Sequence, residues 1–221
     1  MTFRNSIRLL GLSGSTRSAS LNSRLLTLAR EKLPACVALE ATSVGDFGLP
    51  LYDQDQEPDM PPGAIVLADR IAGSDGLIVA SPEHNGSVSA ALKSALDWIS
   101  RLPGGRKPLE GKPVLLMSAS PGRIGGRRGL VHLRDILGGL GARVCDGEVT
   151  VPNAEVSLGE AERDLAHPIR GEIAFVIDRF IPTFAVHTAH SDTSDQVFRR
   201  HMISHSGVSD HPEMTPSGAV W

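Results

Sequence analysis

The stretch best equipped for chemistry runs Gly11-Leu12-Ser13-Gly14-Ser15-Thr16-Arg17-Ser18-Ala19-Ser20-Leu21-Asn22. Its two glycines permit tight turns and leave backbone amides uncovered. Four serines, a threonine and an asparagine add short side-chain donors, and an apolar helical repeat begins at Leu21. Such a loop, delivered into a helix N-terminus, suits a phosphate monoester. Its oxygens need several donors, and the helix dipole adds ~0.3–1 kcal/mol at an exposed site. Arg17 supplies one fixed positive charge. The plainer alternative is a polar loop ending in a serine N-cap.

Two further stretches have the same character. Ser81-Pro82-Glu83-His84-Asn85-Gly86-Ser87 joins a proline and a glycine in a rigid turn, with the Asn85 amide able to read a heterocycle that both donates and accepts. Ser118-Ala119-Ser120-Pro121-Gly122-Arg123-Ile124-Gly125-Gly126 is rich in glycine and poor in bulk, as a flat ring lying against backbone requires. Each alone reads equally as an ordinary turn between strand and helix. Arg123, Arg127 and Arg128 either meet the ribose phosphate of a dinucleotide or are solvated residues at a helix start. His187 with His190, and His201 with His205, have ligand-like spacing, but no accompanying cysteine or Glu-x-x-His pattern supports a metal.

The elements that must position these loops follow from periodicity. Short apolar runs alternate with helical stripes, the pattern of βαβ units on a parallel sheet. Strands are expected at Ile7 to Ser13, Val37 to Ser43, Gly76 to Ser81, Pro113 to Ser120 and within Ala142 to Val151. Helical stripes fall at Leu21/Leu25/Leu28/Ala29, Ala64/Leu67/Ala68/Ile71, Leu92/Ala95/Leu96/Ile99 and Leu130/Leu133/Leu137/Leu140. A last helix is expected to carry Leu165, Ile169, Ile173, Val176, Ile177 and Phe180. Five strands and five helices in alternation imply an α/β doubly wound sheet, by fold precedent in the order 2-1-3-4-5. Ligands of such sheets bind beyond the carboxyl ends of the strands, and that edge is where all three loops fall. Residues 1–182 form this domain. Residues 183–221 hold five of the eight histidines and read as an appended tail, flexible or packed on a partner subunit.

Composition excludes several classes. With 41% hydrophobic and 21% charged residues, the 221-residue chain has an ordinary globular balance and is short for two domains. A net charge of −3 offers no basic field for nucleic acid and little steering charge for an acidic electron shuttle. No stretch approaches a membrane span and Met1 to Leu12 has no uninterrupted apolar h-region, so a cytoplasmic address is expected. Cys36 and Cys145 lie far apart in apolar runs and are expected to be buried, reduced thiols. Only two Trp, one Tyr and six Phe occur, too few for a ring sandwiched by aromatics.

The three loops together resemble a known family. Gly14 to Asn22 is similar to the GSxRxxSxN phosphate loop of the NADPH-dependent FMN reductases, flavodoxin-like quinone, azo-dye and chromate reductases. Pro82 to Ser87, continuing through Ala91-Leu92-Lys93-Ser94-Ala95-Leu96-Asp97-Trp98, resembles their PEYNGSxxxxLKNAxDW segment. Ser118 to Gly122, Gly125-Gly126 and His132-Leu133-Arg134 resemble the third signature. By that resemblance Ser15, Arg17, Ser20 and Asn22 hold the FMN phosphate, in a cradle running from Ser13 through Leu21 to Asn22. Pro82, Glu83, His84, Asn85 and Gly86 line the isoalloxazine, joined by Ser118 and Gly122. One departure is His84, where the family carries tyrosine; imidazole is smaller and titrates near neutrality.

The resemblance implies an NAD(P)H-dependent oxidoreductase that takes NADPH or NADH as donor and reduces a small acceptor, working as a homodimer or homotetramer. The flavin carries the chemistry, so no catalytic side chain is required. A flavodoxin-like electron carrier without reductase activity is the alternative. A Rossmann dehydrogenase fits poorly: it requires Gly-x-Gly-x-x-Gly after the first strand, where only Gly11 and Gly14 occur.

Overall fold

Strand formation starts from continuous apolar runs. In the computed structural model, which describes residues 6–187, Gly76–Ala80 forms β3 and every residue of it is buried, as expected of a strand covered on both faces. Around it lie β1 (Ile7–Ser13), β2 (Val37–Ser43), β6 (Pro113–Ala119) and β7 (Arg143–Val151), all parallel, in the order β2-β1-β3-β6-β7. This is the expected 2-1-3-4-5 order, a flavodoxin-like sheet.

Helices cover both faces. Leu10, Leu12, Leu77, Val79, Val114 and Leu116 point to the face holding α2 (Pro62–Gly73), α3 (Ala90–Ser100) and α4 (Arg127–Gly139). The stripes Leu67/Ala68/Ile71, Leu92/Ala95/Leu96/Ile99 and Leu130/Leu133/Leu137 complete that core. The other face carries α1 (Leu21–Arg30), α5 (Ala154–Arg163) and α6 (Pro168–Phe180). Fully burying one leucine is worth about 1.5–3 kcal/mol, so these stripes dominate the stability of the layers. Trp98 is fully buried and its Nε1 donates to Pro50 O at 3.0 Å, a core role.

Three features depart from the sequence reading. The last expected helix starts at Pro168 rather than Leu165, an unexpected helix, α5, precedes it, and Leu165 lies between the two with 77% of its surface exposed. Pro168 starts α6 behind an N-cap at His167, because its ring fixes a helical φ and needs no donor. A two-strand antiparallel hairpin, β4 (Glu83–His84) and β5 (Ser87–Val88), stands off the carboxyl end of β3. Cys36 and Cys145 are unpaired, as expected, but only partly buried, and burial raises the Cys145 thiol above its ordinary value. No described helix is long and apolar enough to cross a membrane, and the described residues contain no metal-competent cluster of His, Cys, Asp or Glu. The side chains of the tail histidines, and nearly all of the tail expected from residue 183, lie outside the described residues.

Candidate functional site

The first loop leaves β1 at Ser13 and enters α1 through Ser20. Ser20 caps the helix, its Oγ accepting the Ser23 amide at 3.2 Å, and that hydroxyl lies 3.4 Å from Ser13 Oγ in a buried pair. Ser15 Oγ accepts the Arg17 amide at 3.2 Å. The loop is braced from below: Gly14 N donates to Ala80 O at 2.8 Å, Ser89 Oγ to Gly14 O at 2.5 Å, and the Ser43 hydroxyl to Ser15 O. A Cβ on Gly14 would approach Leu92 Cδ2 to 2.9 Å, so a larger residue there would have to displace the Leu92 side chain. Above this brace the amides of Ser18, Ala19, Leu21 and Asn22 have no hydrogen-bond partner among the described residues, and Arg17 is exposed without an acidic partner there. First-turn amides of a helix are orphaned by geometry and carry partial positive charge.

Asn22 departs from its expected part. Its side chain is 2% exposed, with Oδ1 accepting the Ala119 amide at 2.9 Å and Nδ2 donating to Ala119 O at 3.0 Å. The carboxamide thus ties the start of α1 to the end of β6. It positions the cradle from beneath instead of facing outward.

The second loop is the hairpin. Asn85 and Gly86 take φ of 50° and 78°, the two left-handed residues of a tight Asn-Gly turn that matches strand twist. His84 and Asn85 are exposed at its tip, whereas Glu83 turns inward. Its Oε2 accepts the Gly129 amide at 3.2 Å and its Oε1 lies 3.4 Å from Arg128 Nε. The reason lies in α4. That helix begins at Gly126 in a left-handed conformation with no side-chain cap and no acid in its first turn. Glu83 therefore supplies from another loop the cap and the negative charge that this N-terminus lacks. His132 Nδ1, 2.9 Å from Ser87 Oγ, adds a second tie between hairpin and helix.

The third loop starts at Ser118, which is fully buried and donates its hydroxyl to Ser81 O at 2.7 Å. A Cβ on Gly126 would fall 1.9 Å from that Oγ, so glycine is required there by space as well as by its φ of 85°. Pro121, Gly122, Arg123 and Ile124 are exposed. Like Asn22, Ser118 works underneath, joining the bases of the second and third loops.

The expected residues thus divide into two sets. Ser15, Arg17, the loop amides, Pro82, His84, Asn85, Gly86 and Gly122 lie at or near the surface of one edge, while Ser13, Ser20, Asn22, Ser118 and the Glu83 carboxylate hold the loops together. The edge is open. Two hollows lie elsewhere, one of about 650 Å³ beside Glu57 and Arg101 and one of about 230 Å³ beside Pro108 and Gly141. The long-range partners of Glu83 and Asn22 carried no sequence signal, whereas the Asn85-Gly86 dipeptide, read above only as a rigid turn, is a hairpin signal in itself.

Fold and edge together define a class: a flavodoxin-like α/β protein whose first loop brings unpartnered amides to a helix N-terminus. The model of the NADPH-dependent FMN reductase family matches residues 7–156. A quinone reductase of Escherichia coli strain K12 is 42% identical over 170 residues, covering 76% of this chain and 85% of that protein. An NAD(P)H-dependent FMN reductase of Pseudomonas aeruginosa is 39% identical over 59% of this chain and 69% of its own length. Among solved structures, FerB from Paracoccus denitrificans, a flavoenzyme NAD(P)H:(acceptor) oxidoreductase, superposes with a TM-score of 0.62 at 25% identity, covering 80% of this chain and 98% of FerB. The chain belongs to the NADPH-dependent FMN reductase family. It is an oxidoreductase of FMN and NAD(P)H.

Proposed function

We propose that this protein holds FMN across its three loops and uses NAD(P)H to reduce small acceptors of the quinone type. The observation that carries the reading is the first loop, where four amides without partners meet a helix N-terminus beside an arginine with no acidic neighbour among the described residues. A phosphate dianion satisfies all of them at once. Ser15 and Arg17 hold it directly, with the amides of Ser18 to Asn22. Pro82, His84, Asn85, Gly86 and Gly122 present backbone and small side chains to the ring. Nothing lies within 4 Å of a Cβ built on Gly86, so that backbone is bare toward solvent.

When bound, FMN accepts hydride from the nicotinamide and returns the electrons to the second substrate. The protein's part is to fix loop geometry through Asn22, Ser118 and Glu83, and to leave one side open so that donor and acceptor use the same place in turn. Azo compounds, metal oxyanions and free flavin fit such an opening as well. Unpaired thiols at Cys36 and Cys145 accord with a cytoplasmic address. Exposed Leu51 and Val131 offer apolar surface for assembly into a dimer or tetramer, and light scattering behind size exclusion tests this; a clean monomer refutes it.

The test of the whole reading is direct. The purified protein, or apoprotein titrated with FMN, is expected to show bound-flavin absorbance and to oxidise NADPH in the presence of a quinone. A colourless protein that ignores added FMN refutes it.

A further inference from the structure

Three arginines stand near the third loop, and the structure separates them. Arg127 Nε lies 3.8 Å from Glu148 Oε1, and Arg128 Nε 3.4 Å from Glu83 Oε1. Both charges are thus matched within the fold. Arg123 forms no ion pair among the described residues and is exposed.

The backbone beneath Arg123 is held firmly. Gly125 N donates to Gly122 O at 3.3 Å, closing a four-residue turn with Arg123 and Ile124 at its corners. Gly122 O also accepts the Asn153 amide at 3.2 Å, and Gly122 N donates to Ser120 Oγ at 3.1 Å. A Cβ on Gly125 would sit 2.9 Å from backbone atoms of Val151 and Pro152, so the turn rests against the end of β7. An unmatched cation on an anchored turn, at the sheet edge where the donor must approach, is placed to meet an anion. A guanidinium suits phosphate in particular, because its fork matches two oxygens at once. Ile124, 47% exposed beside it, adds apolar surface for a nucleoside.

We propose that Arg123 is the residue that recognises a phosphate of the NAD(P)H donor. This rests on the function proposed above. The phosphate is either the 2′-phosphate, present only in NADPH, or the pyrophosphate common to both dinucleotides.

The experiment is steady-state kinetics on flavin-loaded wild type, Arg123→Gln, Arg123→Lys and Arg127→Gln, with one quinone and either dinucleotide varied. Bound-flavin absorbance is read first on every sample. Arg123→Gln is expected to raise KM about five- to tenfold with kcat within about twofold, the size of one partly solvated charged hydrogen bond. Arg123→Lys falls between, and Arg127→Gln changes KM by less than about twofold, as befits a residue already paired. A rise confined to NADPH assigns the 2′-phosphate, an equal rise for both assigns the pyrophosphate, and either supports the proposal. A flavin-loaded Arg123→Gln with unchanged KM for both dinucleotides overturns it while leaving the function intact, as does an equal rise in Arg127→Gln. A wild type that binds no flavin overturns the function, and this inference with it.

Discussion

The two edges of the sheet are held by opposite means. At the amino edge long cations close the strands: the Arg8 guanidinium donates to Gly73 O at 2.6 Å, Lys112 Nζ to Ser74 O at 2.6 Å and Arg143 Nε to Gly111 O at 2.9 Å. At the carboxyl edge most ties are short, neutral and buried, as in Ser13 with Ser20, Ser89 on Gly14, Ser118 on Ser81 and Asn22 on Ala119, with the Glu83 carboxylate the charged exception. Long side chains at a wet surface are cheap to rearrange and add little. Short buried ones leave unsatisfied backbone behind if removed. The edge proposed to receive a dianion is stiffened beneath its first loop by neutral groups alone. The other edge has no such restriction.

This contrast can be broken by mutation, most sharply at Asn22. Asn22→Ala leaves the Ala119 amide and carbonyl unpartnered and is expected to cost about 2–4 kcal/mol, seen as a fall in Tm of about 5–15 °C. A fall below about 2 °C would erase the distinction between the edges. Arg17→Ala touches the open side of the same loop, so apoprotein Tm should hold while the FMN Kd rises about tenfold in titration. Arg8→Ala, at the amino edge, should lower stability by about 1 kcal/mol or less in urea melts.

The smallest effect is one of pH. Asp46 caps the turn after β2, accepting the Ser43 amide at 2.8 Å and the Thr42 hydroxyl at 2.8 Å, and these bonds hold its carboxyl below the ordinary range. A depressed acid stabilises the fold at pH above its unfolded value, and that contribution fades as pH falls through the lower folded value. The Tm advantage of wild type over Asp46→Asn should therefore shrink on acidification, and an advantage that persists undiminished at low pH would contradict the cap. Because Ser43 also braces Ser15, FMN affinity should decline in the same window.

The central strands were legible as apolar runs bounded by turn residues, and Ile7–Ser13 and Val37–Ser43 match to the residue, whereas β7, interrupted by Asp146, Gly147 and Glu148, could be placed only within a longer stretch. The three loops were legible from residue type alone. Side-chain direction was not. Asn22 has the composition of a phosphate ligand, but its partner lies 97 positions away, and Glu83 answers a missing cap 46 positions along the chain. Local periodicity carries no trace of such pairings. Helix α5 escaped because its stripe is Ala154, Leu158 and Ala161, small residues with little hydrophobic signal. Leu165 misled in the opposite way, an apolar residue left in solvent. Glu83 shows how a motif residue can be recognised by type while its work is done sideways, on a helix terminus.

The Asn22 tie also orders events during synthesis. Residues Gly14 to Asn22 emerge early from the ribosome, yet the strand that anchors them ends at Ala119. Domains generally consolidate as units during translation. Half-made chains will therefore display the proposed phosphate loop unanchored, and a capture of nucleotide there will wait until β6 has been translated and docked.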